Sequence, residues 1–226
     1  MSATPHAVVT GASSGIGAAI VGKLLAGGWQ VTGISRRPPR LDHRAFSHIS
    51  LDLDRTSAIA EAVAHLSPTA LVHAAGFMKV ASLGDLNFED GRGMWRLHVE
   101  AAEALANALA PRLPHGGRII FIGSRTSAGA AGRGQYAATK AALVGMARSW
   151  ASELAPRGIT VNVVAPAATE TPMLSDPSRN TVAPKLPPIG RYIKPEEVAA
   201  AVWFLLSPEA AAITGQQLTI CGGSSI

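Results

Sequence analysis

Residues 7–17 read Ala7-Val8-Val9-Thr10-Gly11-Ala12-Ser13-Ser14-Gly15-Ile16-Gly17. A short β-branched strand runs into a loop whose glycines are spaced Gly-x-x-x-Gly-x-Gly, and an alanine-rich stretch follows to about Leu25. Gly27-Gly28 closes that helix, and Gln30-Val-Thr-Gly-Ile34 reads as the next strand. Strand, glycine loop, helix, strand is the opening of a dinucleotide-binding fold. The glycines let the backbone turn tightly and approach a pyrophosphate, whose charge the helix N-terminus attracts. Gly11, Gly15 and Gly17 are therefore expected to hold a cofactor. The spacing differs from the more widespread Gly-x-G-x-x-Gly.

The end of the second strand selects among cofactors. An acidic residue there would bind the adenosine ribose hydroxyls of NAD. Here Ser35 is followed by Arg36 and Arg37, two guanidiniums with no carboxylate, which favours a 2′-phosphate and hence NADP(H) over NAD(H). Arg36 is the first choice for that contact. Ile49 to Leu53 reads as a third strand with Asp52 near its C-terminal end, where open parallel sheets place ligands; Asp52 could reach the adenine amino group. A short helix is expected from Arg55 to Leu66. Ala70-Leu-Val-His73 is a fourth strand, and the small residues Ala74-Ala75-Gly76 after it allow a cofactor to approach closely. His73 reads as a structural hydrogen bonder, and His98 falls within a long helix from Asn87 to Ala110.

Arg118 to Gly123 is a buried strand ending at Ser124, and Tyr136 and Lys140 follow at helical spacing, so both occupy one face of a helix running on to Leu154. A free phenol titrates near pH ~10, and bringing it to neutrality takes roughly 4 kcal/mol. One positive charge about 4 Å away supplies that much at an effective dielectric of ~20. Lys140 can thus make Tyr136 a general acid and base, and the Ser124 hydroxyl can hold a carbonyl oxygen as it gains charge. Ile159 to Ala165 is a sixth strand buried on both faces. The proline-rich stretch Pro166–Pro188 is expected to cover the mouth of the site. Pro195 opens a helix to Leu206, and Gln217–Ile220 is the last strand. Strands alternating with helices throughout indicate one doubly wound α/β sheet and a single domain over 1–226.

Composition agrees. The chain has 226 residues, 47% of them hydrophobic and 15% charged, which suits a large core and argues against disorder. The formal charge of +5 comes from scattered basic residues, with no basic block interleaved with aromatics, so an anionic cofactor or substrate is expected and nucleic acid is not. A lone cysteine, Cys221, leaves no disulfide within the chain. No signal-peptide pattern or bilayer-length apolar run is present, which points to a cytoplasmic protein without a membrane partner.

Taken in order, these stretches resemble the short-chain dehydrogenase/reductase family over about Ala7 to Gly223. The likeness rests on Thr10-Gly-x-x-x-Gly-Ile-Gly17, Asp52-Leu53, Ala75-Gly76, Ser124, Tyr136-x-x-x-Lys140, Val161-Asn-Val-Val-Ala-Pro166 to Thr171, Ile189 to Val198, and Ile213-Thr-Gly215. The resemblance implies a three-layer Rossmann-like fold of seven parallel strands, a nicotinamide cofactor, a Ser-Tyr-Lys mechanism, no metal, and a homotetramer or homodimer. By the same resemblance Tyr136 exchanges a proton with a carbonyl/alcohol substrate, Lys140 holds the nicotinamide ribose, and Ser124 binds the substrate oxygen. Ser13, Ser14 and Ile16 would line the pyrophosphate loop. Leu53, Ala74, Ala75 and Gly76 would border the cofactor. Pro166, Thr169 and Thr171 would lie near the carboxamide, with a short substrate lid near 171–192.

This chain departs from the family pattern at several points. His73-Ala74-Ala75-Gly76 stands where Asn-Asn-Ala-Gly is common, and Ala167 where a Gly is common. His98 occupies the position of an Asn that many members use in a proton relay: either a ring nitrogen serves the relay, or only the backbone carbonyl does, or the residue is structural. Two further readings accompany the main one. One is a 3-oxoacyl-(carrier-protein)-type reductase whose acidic carrier would meet Arg125 and Arg133. The other is a nucleotide-sensing protein without turnover.

Overall fold

The computed structural model describes residues 4–176 and 184–226. Seven strands form one parallel sheet: β1 (His6–Thr10), β2 (Gln30–Ser35), β3 (Phe46–Ser50), β4 (Ala70–His73), β5 (Arg118–Ile122), β6 (Thr160–Pro166) and β7 (Gln217–Ile220), in the order β3-β2-β1-β4-β5-β6-β7. Helices α1 (Gly15–Ala26) and α6 (Pro195–Leu206) cover one face; α2 (Ile59–Ala62), α4 (Ala101–Leu109) and α5 (Gly134–Leu154) cover the other. Alternation along the strands divides the core. Ala7, Val9, Val31 and Val72 pack with Ile20, Leu24 and Val202, while Val8, Ile34, Leu71 and Phe121 pack with Leu105, Leu143 and Ala147. With both faces covered, β4, β5 and β6 have every residue buried, which is why apolar residues dominate them, broken only by His73, Arg118, Thr160 and Asn162.

The strand order reverses between β1 and β4, whose ends Thr10 and His73 pair directly. A crevice therefore opens at their C-terminal edge, where a doubly wound sheet binds ligands.

Three expectations shift. The third strand lies at Phe46–Ser50, three residues earlier than the pattern indicated, so Asp52 and Leu53 fall beyond its end. The Asp52 carboxylate there accepts the Asp54 N–H at 3.2 Å, and the Asp52 carbonyl accepts that of Arg55. This turn drops the Leu53 side chain into the core, while Asp52 stays exposed. The helix expected from Arg55 to Leu66 shrinks to a 3₁₀ turn, Thr56–Ala58, and the single turn of α2. The long helix begins at α3 (Phe88–Trp95), capped by the Asn87 side chain accepting the N–H groups of Glu89 and Asp90, and reaches α4 through a π segment, Arg96–Glu100. Lid residues 177–183 lie outside the described residues.

Candidate active site

The glycine loop is built by close approach. A Cβ at Gly17 would stand 2.2 Å from the Gly11 carbonyl oxygen, and one at Gly11, where φ is +67°, would stand 2.9 Å from the Ala75 amide nitrogen. Both neighbours are backbone and cannot swing aside. We expect Gly17→Ala to cost about 3 kcal/mol through this overpacking, read as a lower thermal midpoint; an unchanged midpoint would contradict the geometry. Ser14 is the N-cap of α1, its side chain satisfies none of the first N–H groups of that helix, and Ser14, Gly15, Ile16 and Gly17 line the crevice. Together with the glycine cradle, these free donors fit a pyrophosphate.

His73 fastens the crevice floor. Its Nε2–H donates to the Leu97 carbonyl at 3.1 Å, so Nδ1 carries the lone pair and accepts the Thr10 hydroxyl at 3.0 Å. The Thr10 oxygen in turn accepts the N–H groups of Ala74 and Ala75, both at 3.0 Å. The imidazole thus stands as a structural hydrogen bonder, as expected. Burial, reinforced by the Lys140 cation, pushes His73 down to about 3.

Ser124, Tyr136 and Lys140 meet over this floor. All three are buried, and all line one cleft of about 940 Å³ together with Gly11, Ser14, Gly15, Ile16, Gly17, Ala74, Ala75, Gly76, Pro166, Thr169 and Thr171. Ser124 caps the 3₁₀ turn Arg125–Ala128, its Oγ accepting the Thr126 N–H at 3.1 Å, which leaves the hydroxyl hydrogen to be donated elsewhere. α5 already begins at Gly134, so Tyr136 and Lys140 share a helical turn, with the Lys140 Nζ 5.8 Å from the centre of the phenol ring. Nζ also donates to the Ile122 carbonyl at 2.9 Å. Burial pulls the Lys140 amine down to about 7, so it is balanced between charged and neutral forms near neutral pH.

His98 lies within the π segment with no exposed surface. Its Nε2 accepts the Phe77 N–H at 3.2 Å, and Nδ1–H donates to Thr139 Oγ1 at 2.8 Å. The Thr139 hydroxyl donates to the Tyr136 carbonyl at 2.8 Å, and the His98 ring stands edge-on to that of Tyr136, 5.6 Å between centres. Burial first and Lys140 second hold the imidazole well below its ordinary value.

The adenine-end candidates lie apart from this cleft. Arg36 and Arg37 are exposed just past β2. The buried Ser35 hydroxyl donates to the Arg37 carbonyl at 2.7 Å, and Ser50 donates to that of Arg36 at 3.2 Å, so these hydroxyls hold the arginine backbone in place. Ser13 is exposed at the loop tip. Phe77 and Met78, in the loop after Gly76, and Met173, Leu174 and Leu186, within the segment expected as a lid, give the cleft an apolar lining; no sequence pattern singled out these individual residues. Among the described residues no group of three or more His, Cys, Asp or Glu could hold a metal, and no helix is long and apolar enough to cross a membrane.

A parallel seven-stranded sheet with this crevice defines a Rossmann-like doubly wound architecture, and comparison with known proteins narrows it. A family model described as enoyl-(acyl carrier protein) reductase matches residues 11–225. The 3-oxoacyl-[acyl-carrier-protein] reductase FabG of Vibrio cholerae is 36% identical over 234 residues, covering 96% of each chain. The cyclic-di-GMP-binding biofilm dispersal mediator protein of Escherichia coli is 35% identical over 225 residues, covering 95% of this chain and 94% of its own. A blue fluorescent protein from a metagenomic library, solved in complex with NADPH, superposes with a TM-score of 0.86 at 30% identity over 98% of both chains. The chain belongs to the short-chain dehydrogenase/reductase family and is an oxidoreductase of that type.

Proposed function

We propose that the protein is an NADP(H)-dependent reductase or dehydrogenase that interconverts a ketone or aldehyde with its alcohol. The observation that carries this reading is the convergence of Ser124, Tyr136 and Lys140 with the glycine loop in one cleft. A nicotinamide cofactor held by the glycine loop and Lys140 would supply the hydride in reduction and accept it in oxidation. Tyr136 gives the proton to the carbonyl oxygen in reduction and takes it back in oxidation. Lys140, in its charged form, favours the phenolate that reduction leaves behind. Ser124 donates its hydroxyl hydrogen to the same substrate oxygen and fixes it against Tyr136. The Met78, Met173 and Leu174 lining suits an apolar substituent on the carbonyl.

NADP(H) is favoured because Arg36 and Arg37 stand at the end of β2 with no carboxylate among Ser35, Arg36 and Arg37. The NADPH-bound neighbour is consistent with that choice. Removing one charge-assisted contact from Arg36 should weaken NADPH about 10- to 100-fold and leave NADH nearly unchanged. The test is NADPH consumption at 340 nm across a panel of ketones and aldehydes, repeated with Arg36→Ala. No turnover of any carbonyl would refute the activity, and equal losses for both cofactors would refute the preference.

A 3-oxoacyl-(carrier-protein) substrate is favoured specifically by the printed name of the Vibrio relative and by Arg125 and Arg133 on the cleft wall. Activity on a carrier-bound ketoester that falls steeply with salt supports that narrower reading; equal activity on the free thioester opposes it. The relative named for cyclic-di-GMP binding keeps a sensing role in view, and NADPH turnover separates the two.

A further inference from the structure

We propose that His98 is a positioning residue: its neutral imidazole, protonated at Nδ1, fastens the Tyr136–Lys140 turn of α5 to the Gly76–Phe77 backbone and passes no proton of the reaction through its ring. This rests on the oxidoreductase reading above. A backbone N–H can only donate, so the Phe77 amide requires a lone pair on Nε2. In a neutral ring the hydrogen is then on Nδ1, directed at Thr139 Oγ1. The Thr139 hydroxyl has one hydrogen, and it goes to the Tyr136 carbonyl. Every polar atom of the ring is committed. A second proton would set Nε2–H against the Phe77 N–H in a site with no exposed surface, facing the Lys140 amine and the His73 imidazole.

The bonds that use up the ring are the ones that locate the site. Thr139 sits between Tyr136 and Lys140 on α5. Phe77 leads into Met78, which packs against Tyr136. Gly76 lies so close that a Cβ on it would stand 2.9 Å from His98 Nε2 and 3.6 Å from Lys140 Nζ. From the other side, the His73 bond to the Leu97 carbonyl anchors the π segment one residue before His98. The imidazole therefore sets where the phenol and the amine stand relative to the crevice floor.

Two substitutions separate positioning from relay. Gln at 98 offers one acceptor and one donor but does not titrate; Ala offers neither. With a carbonyl that the wild type reduces, His98→Ala should lose about 100-fold in kcat from misplacement, with its NADPH affinity close to that of the wild type and a lower melting temperature, because the buried Phe77 N–H loses its acceptor. His98→Gln should recover most of that loss, and added imidazole should not restore His98→Ala. A glutamine variant as slow as the alanine variant, both folded and binding NADPH, overturns the proposal, as does rescue by imidazole. If His98→Ala fails to fold, Thr139→Ser against Thr139→Val reads the same bond: the serine keeps kcat and the valine loses it, and equal rates overturn the proposal. If the wild type reduces no carbonyl, the oxidoreductase reading fails separately. ¹⁵N spectra of the ring then decide: Nδ1–H with a bare Nε2 between about pH 5 and 9 is expected, and a second proton in that range overturns the assignment.

Discussion

Tyr136→Phe is expected to lower kcat about a thousand-fold while NADPH binds within a few-fold of wild type. The substitution removes one oxygen and leaves the rest of the residue in place. The ring keeps its packing in the cluster with Met78 and Met94 and its edge-on contact with His98. Its backbone carbonyl keeps the Thr139 hydroxyl, and Lys140 keeps its bond to the Ile122 carbonyl. The glycine loop and α1 N-terminus belong to other elements and are untouched. What disappears is the hydroxyl proposed to exchange a proton with the substrate oxygen; Ser124 still donates its hydrogen bond there, and both His98 nitrogens stay committed to Phe77 and Thr139. Steady-state NADPH oxidation together with a fluorescence titration of the cofactor measures both quantities. Turnover within tenfold of wild type would remove Tyr136 from the role of acid and base.

Much of this site is legible in the sequence because its parts are local. Gly11, Gly15 and Gly17 are read from one loop, and Tyr136 and Lys140 from one helical turn. Strands β4 to β6 announce themselves because both faces are covered, so apolar residues dominate them. The sheet edge is harder. In Phe46-Ser47-His48-Ile49-Ser50 no residue is fully buried, and the apolar pair Leu51 and Leu53 just beyond draws the strand reading three residues too far. The helix expected after it is short because Thr56–Ala58 closes as a 3₁₀ turn and only Ile59–Ala62 continues as α2. The network around His98 has no local signature at all. Its partners, Phe77 and Thr139, lie 21 and 41 residues away, and the π segment that presents the ring is held through Leu97 by a histidine on a different strand. A helix-period pattern runs unchanged through Arg96–Glu100, so only tertiary packing reveals the insertion.

Lys140→Met is expected to abolish turnover and yet raise the melting temperature of the cofactor-free protein. The amine is buried, 4% exposed, and its depressed value of about 7 compares with the ordinary value of 10.5. Below pH 7 both folded and unfolded chains carry the proton, so the wild type bears the full cost of an ammonium out of water. As pH rises above 7 the folded protein sheds that proton while the unfolded chain keeps it, and wild-type stability rises, by at most about 5 kcal/mol over the whole window. Methionine fills similar volume with no charge; against that gain stands the lost hydrogen bond to the Ile122 carbonyl, about 1 kcal/mol. A net gain of about 2 kcal/mol at pH 6 corresponds to roughly 4–8 °C for a chain of this size. The advantage should narrow steadily toward pH 10, where the folded wild type holds the amine neutral. Scanning calorimetry of both proteins from pH 6 to 10 measures this directly. A methionine variant that melts below wild type at every pH would show that the ammonium is stabilised where it stands. The tension between an unstable buried cation and its work on a phenol would then not be the one this site is built around.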